Sequence, residues 1–268
     1  MRRFSFTLTE LLVVIVIFVL LIVILLPSLR SSRQQAEAVL CNSNIRQLLL
    51  GLFSYENESQ TLLYGFDKQP LQGPPPGGYA GGSAYDRRGW WWFNFIEGFY
   101  KKSDSNKTVV CCPSKRLTKP ELKNNVLCSN YGANQSIFKS PPASASPGWT
   151  EFVGEPLRSS NIRRPGETLL LVDSGYAIIS WWHAADEPPV VLGNTIIEDA
   201  AYIPGLWINK KRDLWPGQEQ DAIYGRHPNK TVNVEFADGH VSRTKAEDLF
   251  VEKTGDDYRN KSPLWVPK

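Results

Sequence analysis

The chain carries no charge excess of either sign: 30 Lys and Arg stand against 27 Asp and Glu in 268 residues, and beyond residue 29 the balance is 28 to 26. Near-neutrality excludes a strongly basic nucleic-acid binder, so no nucleic acid is expected as a partner, and it equally excludes an acidic solvating protein. Catalytic signatures are absent as well. There is no Gly-x-Ser-x-Gly elbow, no His-Glu-x-x-His and no phosphate-binding glycine loop, so nothing marks a hydrolase and no enzymatic activity is expected. Cysteines number only four, and none form a Cys-x-x-Cys pair; zinc is the alternative use of the four, without the spacing that favours it. The 19 Pro, 20 Gly and 9 Trp indicate a turn-rich body with aromatic packing, far from disorder.

What is present is unevenly distributed. Mean hydropathy is −0.29, yet residues 11 to 26 are sixteen apolar side chains without a break. The chain is therefore an anchor plus a soluble body. Phe6 to Leu29 gives 24 residues, about 36 Å of helix at 1.5 Å each, enough to cross a hydrocarbon core of about 30 Å. Arg2 and Arg3 favour a cytoplasmic N-terminus, which puts the body outside the inner membrane. A secretory signal peptide is one reading of this segment, but Ala36-Glu37-Ala38 is its only Ala-x-Ala, well beyond the run and behind Arg30 and Arg33. A plain transmembrane anchor is the second. It leaves Glu10 unexplained, because a carboxylate costs about 2.5 to 3.5 kcal/mol near a bilayer centre and usually marks a partner.

The third reading accounts for Glu10. The stretch Ser5-Phe6-Thr7-Leu8-Thr9-Glu10-Leu11-Leu12-Val13-Val14 resembles the class III signal of type IV pilins and type II secretion pseudopilins, with Ser5 where that family usually carries Gly. The resemblance implies that residues 1–5 are a leader, that a prepilin peptidase cuts between Ser5 and Phe6 and methylates Phe6, and that residues 6–29 are a transmembrane and assembly helix. Glu10 would then pair with the N-terminal amine of a neighbouring pilin or pseudopilin subunit, a charge costly in lipid being matched by a cation that assembly supplies. Pro27 lies where pilins commonly carry a helix-bending proline. The implied product is a structural subunit of a type IV pilus or type II secretion pseudopilus-like fibre, in the inner membrane or on the cell surface. The alternative is an uncleaved single-pass surface protein whose aromatic body binds a glycan through Trp90-Trp91-Trp92-Phe93, Trp149 and Trp181-Trp182.

Residues 30–268 read as one extracytoplasmic α+β domain: a long N-terminal helix packed on an antiparallel sheet with long loops. Ile45, Leu48, Leu49, Leu52 and Phe53 repeat at helical spacing and need a sheet or helix to cover them. Residues 70–89 and 140–148 are loop by composition. Thr168–Asp173 and Tyr176–Trp181 flank Ser174-Gly175 and read as a hairpin. Thr231–Phe236 and His240–Arg243 flank Asp238-Gly239 and read as another. Lys245 to Phe250 reads as a short closing helix.

The body carries a resemblance of its own. Cys41-Asn-Ser-Asn-Ile-Arg-Gln47, Cys112-Pro113-Ser114, Ser129-Asn-Tyr-Gly-Ala-Asn134, Pro165-Gly-Glu-Thr-Leu-Leu-Leu-Val-Asp173, Gly225-Arg-His227 and Phe236-Ala-Asp-Gly-His-Val241 are similar to the large pilin-like proteins of the planctomycete and verrucomicrobial type. Their C-terminal His…Asp-Gly motif falls on His227, Asp238 and Gly239. Ten residues separate His227 from Asp238, one more than is usual there. The extra residue either shifts the strand register or is absorbed in the Pro228-Asn229-Lys230 turn.

Cys41, Cys111, Cys112 and Cys128 allow two disulfides in an exported domain. Adjacent Cys111 and Cys112 disfavour a mutual bond, because the ring is strained. Cys41 with Cys112 is the preferred pairing, fastening the helix to the body and contributing roughly 3 to 5 kcal/mol through a loop of about 70 residues. Asp173, His227, Asp238 and His240 are the residue types of a divalent-metal site, a structural Ca2+ being the one cofactor considered. In the competing reading Asp238 serves its turn and His183, His227 and His240 hydrogen-bond locally.

Overall fold

The computed structural model describes residues 7–67, 89–99, 109–128, 130–142, 150–186 and 201–267. Helix α1, Leu8–Ser59, runs unbroken for 52 residues, about 78 Å. Nine of the sixteen residues from 11 to 26 are Val or Ile, weaker helix formers than Leu, so propensity alone does not account for this stretch; Pro27 is the only proline inside α1. Pro27 has no N–H to give to the carbonyl one turn earlier, while the Ser28 hydroxyl donates to Leu25 O at 2.8 Å. At the far end Gln60 turns left-handed (φ 60°) and its N–H returns to Glu56 O, closing the helix.

Two environments divide α1. Every residue from Leu8 to Leu29 is exposed, whereas Ala38, Cys41, Ile45, Leu48, Leu49, Gly51 and Leu52 are buried. The second set has the i, i+3, i+4, i+7 spacing that the sequence predicts, with Phe53 half-buried beside it. Each fully buried Leu or Ile contributes about 1.5 to 3 kcal/mol. The N-terminal part, by length and composition, is able to cross a membrane.

The stripe docks on a five-stranded sheet. In chain order a small ladder pairs β1, Phe66–Asp67, with β2, Trp90–Trp91. The main sheet comprises β3 (Tyr131–Asn134), β4 (Leu169–Asp173), β5 (Ile178–Ile179), β6 (Thr231–Phe236) and β7 (Val241–Lys245), in the order β5-β3-β4-β6-β7. A closing ladder joins β8, Glu252–Thr254, to β9, Asp257–Arg259. All five residues of β4 are buried, which is why it reads as an unbroken apolar run rather than an alternating one.

The β6–β7 hairpin forms as expected, with Gly239 at φ +96° in its turn. The Pro228–Lys230 turn before it places Asn229 and Lys230 in left-handed conformations, while β6 stays in regular register with β7. Against β4, by contrast, the register of β6 shifts between Leu169 and Leu171, so both the turn and the β4 side of the sheet carry irregular backbone. Ala246–Leu249 forms the short closing helix as a 3₁₀ segment.

Two expectations need correction. The Thr168–Asp173 and Tyr176–Trp181 segments do not form a hairpin: β3 lies between β4 and β5, antiparallel to the first and parallel to the second. The sheet is therefore mixed. Gly132 makes room for this arrangement, since a Cβ there would stand 2.7 Å from Ser174 Cβ and 2.8 Å from Tyr176 O. The link after β4 crosses β3 at this bare position. Its backbone bonds are satisfied elsewhere, Ser174 N–H by Asn130 O and Gly175 N–H by Tyr202 O. Cys111 and Cys112 directly follow the turn at Val109 and Val110, outside the strands. The loops expected at 70–89 and 140–148 fall largely outside the described residues, as do Arg2, Arg3, Ser5, Phe6 and Trp149.

Candidate functional site

At the start of α1 the Thr7 hydroxyl and N–H both donate to Glu10 Oε2, at 2.7 and 2.8 Å, and Glu10 N–H returns to Thr7 Oγ1 at 3.3 Å. This is a capping box, and its Thr-x-x-Glu spacing was legible in the sequence. Glu10 therefore has an intrachain role at the helix N-terminus, where a negative charge also suits the helix dipole.

A second group lies under the middle of α1. Cys41 and Cys112 form a disulfide with Cα atoms 5.4 Å apart, so the expected pairing is present. Cys111, half-buried, and Cys128, buried, stand outside it. Beside the bridge Asp173 ends β4 and His227 precedes β6, both buried. Asp173 Oδ2 accepts from His227 Nε2 at 3.0 Å, from Asn233 N–H at 2.6 Å and from the Asn233 amide at 3.0 Å. Asn42 of α1 donates to Asn233 Oδ1. Arg226 grips Asp221 with two nitrogens at 3.2 and 2.7 Å, donates to Asn130 O and Ser174 O, and lies 3.8 Å from Asp173 Oδ1. Asp221 also accepts from Arg116 N–H and the Tyr202 hydroxyl.

Burial opposes the charge of both carboxyls, yet His227 and Arg226 at Asp173, and Arg226 with its hydrogen bonds at Asp221, overcome it and hold both below the usual carboxylate range. Burial also opposes the Arg226 charge, and Asp221 and Asp173 outweigh it, raising its pKa. The arrangement locks three loop ends to one another. Arg226 and Asp221 are only five residues apart, but Asn130, Ser174 and Asp173, which complete the cluster around them and Asn233, are tens of residues away, so the sequence did not mark these three for a site.

The four proposed metal ligands do not meet. Asp173 and His227 form the buried pair, whereas Asp238 and His240 are exposed at the other end of β6, where His240 Nδ1 lies 2.6 Å from Asp238 Oδ1 and the ring stacks on Phe236. Asp238 is five residues past Asn233, roughly 15 Å along a strand. His183 pairs with Ser180, and burial followed by Arg212 lowers its pKa to about 3. Among the aromatic clusters Trp91, Trp92, Phe93 and Trp181 are buried, and Trp90 and Trp182 are half-buried, so these rings serve packing.

No family model, curated protein or solved structure matches this chain.

Proposed function

We propose that the chain is a non-enzymatic structural subunit of a type IV pilus or type II secretion pseudopilus-like fibre, held in the inner membrane before assembly. The observation that carries this reading is the division of α1: its first 22 residues, Leu8 to Leu29, are apolar and uncovered apart from Glu10, Pro27 and a few hydroxyls, while its second half is welded to the body. Such a helix needs lipid or other helices around its first half. A signal peptide fits poorly, since cleavage after Ala38 would cut α1 at a buried residue between two turns of one continuous helix. In the fibre reading a prepilin peptidase removes residues 1–5. Glu10 then exchanges its Thr7 partners for the Phe6 amine of a neighbour.

The cap and the charge can be separated. Glu10→Gln keeps a capping-box side chain and removes the charge, whereas Glu10→Val removes both. Both variants are expected to insert in the membrane and to be lost from fibres in a shear-fraction immunoblot. Wild-type incorporation of Glu10→Gln would refute the charge-pairing role. Intact-mass measurement of the native chain supplies the second check: a methylated Phe6 terminus is expected, and an N-terminus at Met1 overturns the processing step.

A further inference from the structure

The disulfide and the buried histidine meet. A ring nitrogen of His227 and the Sγ atoms of Cys41 and Cys112 all lie within 4.8 Å of one another, and all three residues are buried. Nε2 lies 3.0 Å from Asp173 Oδ2 and 3.1 Å from Asn233 Nδ2; with the Nε2 proton hydrogen-bonded to the Asp173 carboxylate, the lone pair falls on Nδ1, which is enclosed and has no hydrogen-bond partner among the described residues. A histidine whose second nitrogen is held by a carboxylate is the usual second layer of a zinc ligand, because the carboxylate fixes the tautomer and the ring orientation. The Ser114 hydroxyl, also buried, lies 3.8 Å from Cys41 Sγ and borders the remaining side.

We propose that reduction of the Cys41–Cys112 bridge opens a zinc site whose ligands are Cys41 Sγ, Cys112 Sγ and His227 Nδ1. A dithiol of the thioredoxin class supplies the two electrons: the S–S bond breaks, two thiols form and the reductant closes its own disulfide. Zn2+ then releases the two thiol protons to solvent and binds both thiolates and the imidazole. Two thiolates neutralise the ion, so the buried site gains no net charge beside Asp173, Arg226 and Asp221. In a tetrahedral zinc centre the donors stand about 3.5 to 3.8 Å apart, so the sulfurs separate to that spacing once the bond is broken and the imidazole need approach them by no more than about 1 Å. Helix α1 thereby stays fastened to the sheet in either redox state, by a covalent bridge when oxidised and by zinc when reduced. Disulfide and metal exclude each other, which makes the fastening redox-sensitive.

The test uses the full chain in detergent micelles, reduced with a phosphine, freed of reductant without air and titrated with Zn2+ or Co2+. A Cys111→Ser/Cys128→Ser chain removes the other two thiols. One zinc per reduced chain is expected by elemental analysis, none per oxidised chain, and thiolate-to-cobalt charge-transfer bands on Co2+ loading. His227→Gln should weaken zinc at least tenfold with tryptophan fluorescence unchanged. X-ray absorption of the zinc-loaded reduced wild-type chain needs no variant and should show two sulfurs and one imidazole. Absence of stoichiometric zinc from the reduced folded chain, loss of zinc in Cys111→Ser/Cys128→Ser, undiminished binding by His227→Gln, or a zinc shell without imidazole would each overturn the proposal.

Discussion

Glu235 offers the sharpest test of how α1 sits on the sheet. It lies in β6 two residues from Asn233, hence on the face that Asn42 of α1 touches, and it is fully buried. Neither carboxylate oxygen has a hydrogen-bond partner among the described residues, and burial alone drives its pKa well above the ordinary value of 4.5. The folded chain therefore keeps this carboxyl protonated while the unfolded chain ionises it from about pH 4.5 upward. The contribution of Glu235 to stability is fully present below that pH and is lost as pH rises toward the folded value. Glu235→Gln keeps the shape and cannot ionise. Its unfolding constant relative to wild type should match near pH 4, then fall about tenfold for every pH unit until the folded carboxyl itself ionises.

The assay is urea unfolding of the full chain in detergent micelles, followed by tryptophan fluorescence from pH 4 to 8. Comparing the two chains removes the other titrations. His183, with its pKa lowered to about 3, acts in the opposite sense: its contribution is present above pH 6.5 and lost as pH falls, equally in both chains. The pH at which the difference levels off reports the folded Glu235 pKa. Parallel pH profiles for wild type and Glu235→Gln would refute the reasoning, since they would mean that Glu235 ionises in the fold at no penalty. Glu235→Leu, which removes both unpaired oxygens, should be at least as stable as Glu235→Gln at pH 7.

Replacing Cys41 and Cys112 together by Ser frees a loop of 71 residues and should lower stability by about 4 kcal/mol in metal-free buffer, read by denaturation against the oxidised parent. Arg226→Met leaves Asp221 and Asp173 buried without their cation. A loss of about 3 to 5 kcal/mol is expected, and an unchanged midpoint would remove the ion pair from the account. Gly239→Ala forces a side chain into φ +96° and brings its Cβ to 3.1 Å from Phe53. It should destabilise by about 1 to 3 kcal/mol and raise amide exchange along β6 and β7.

Local patterns in the sequence carried much of this fold. The spacing of Ile45, Leu48, Leu49 and Leu52 located the docked face of α1 because helical periodicity is a property of neighbours. Asp238-Gly239 located the hairpin because a left-handed turn needs glycine. The Ser174-Gly175 turn misled for the opposite reason: whether two strands pair across a turn depends on what else inserts between them. Here that was Tyr131-Gly132-Ala133-Asn134, a strand with no β-branched residue to announce it. The site divided in the same way. Adjacency argued against a Cys111–Cys112 bond but left either sulfur open to Cys41, so the choice of Cys112 was a preference that local sequence did not force, whereas the Thr7 cap was within four residues of Glu10. The Asp173–His227 pair spans 54 residues and the Asn42–Asn233 contact 191. No local rule reaches that far, and the zinc-like grouping exists only after the sheet is assembled.

The geometry of α1 also constrains how the body can be carried. The first tertiary contact described on the helix is Gln35, reached by Arg243 at 3.3 Å, and Ala38 is the first buried residue. From Leu8 to Gln35 is about 42 Å of helix, against a hydrocarbon core of about 30 Å. A span that starts at Leu8 thus leaves about eight residues between lipid and body, the stretch that holds Leu29, Arg30 and Arg33, and puts both arginines at the interface where cations are tolerated. Beyond it the helix is tied to β6 at Asn42 and to the rest of the body at Cys41 and at Glu56, whose carboxylate accepts from Ser159 N–H. A rigid arm of this kind passes any pull on its apolar end to the body through the bridge and to β6 through Asn42. Cleavage between the arm and the body would instead detach the uncovered arm and leave Cys41 to Leu52 docked, so that no pull could reach the body. The fibre subunit proposed above requires this transmission of load, through a helix that stays attached.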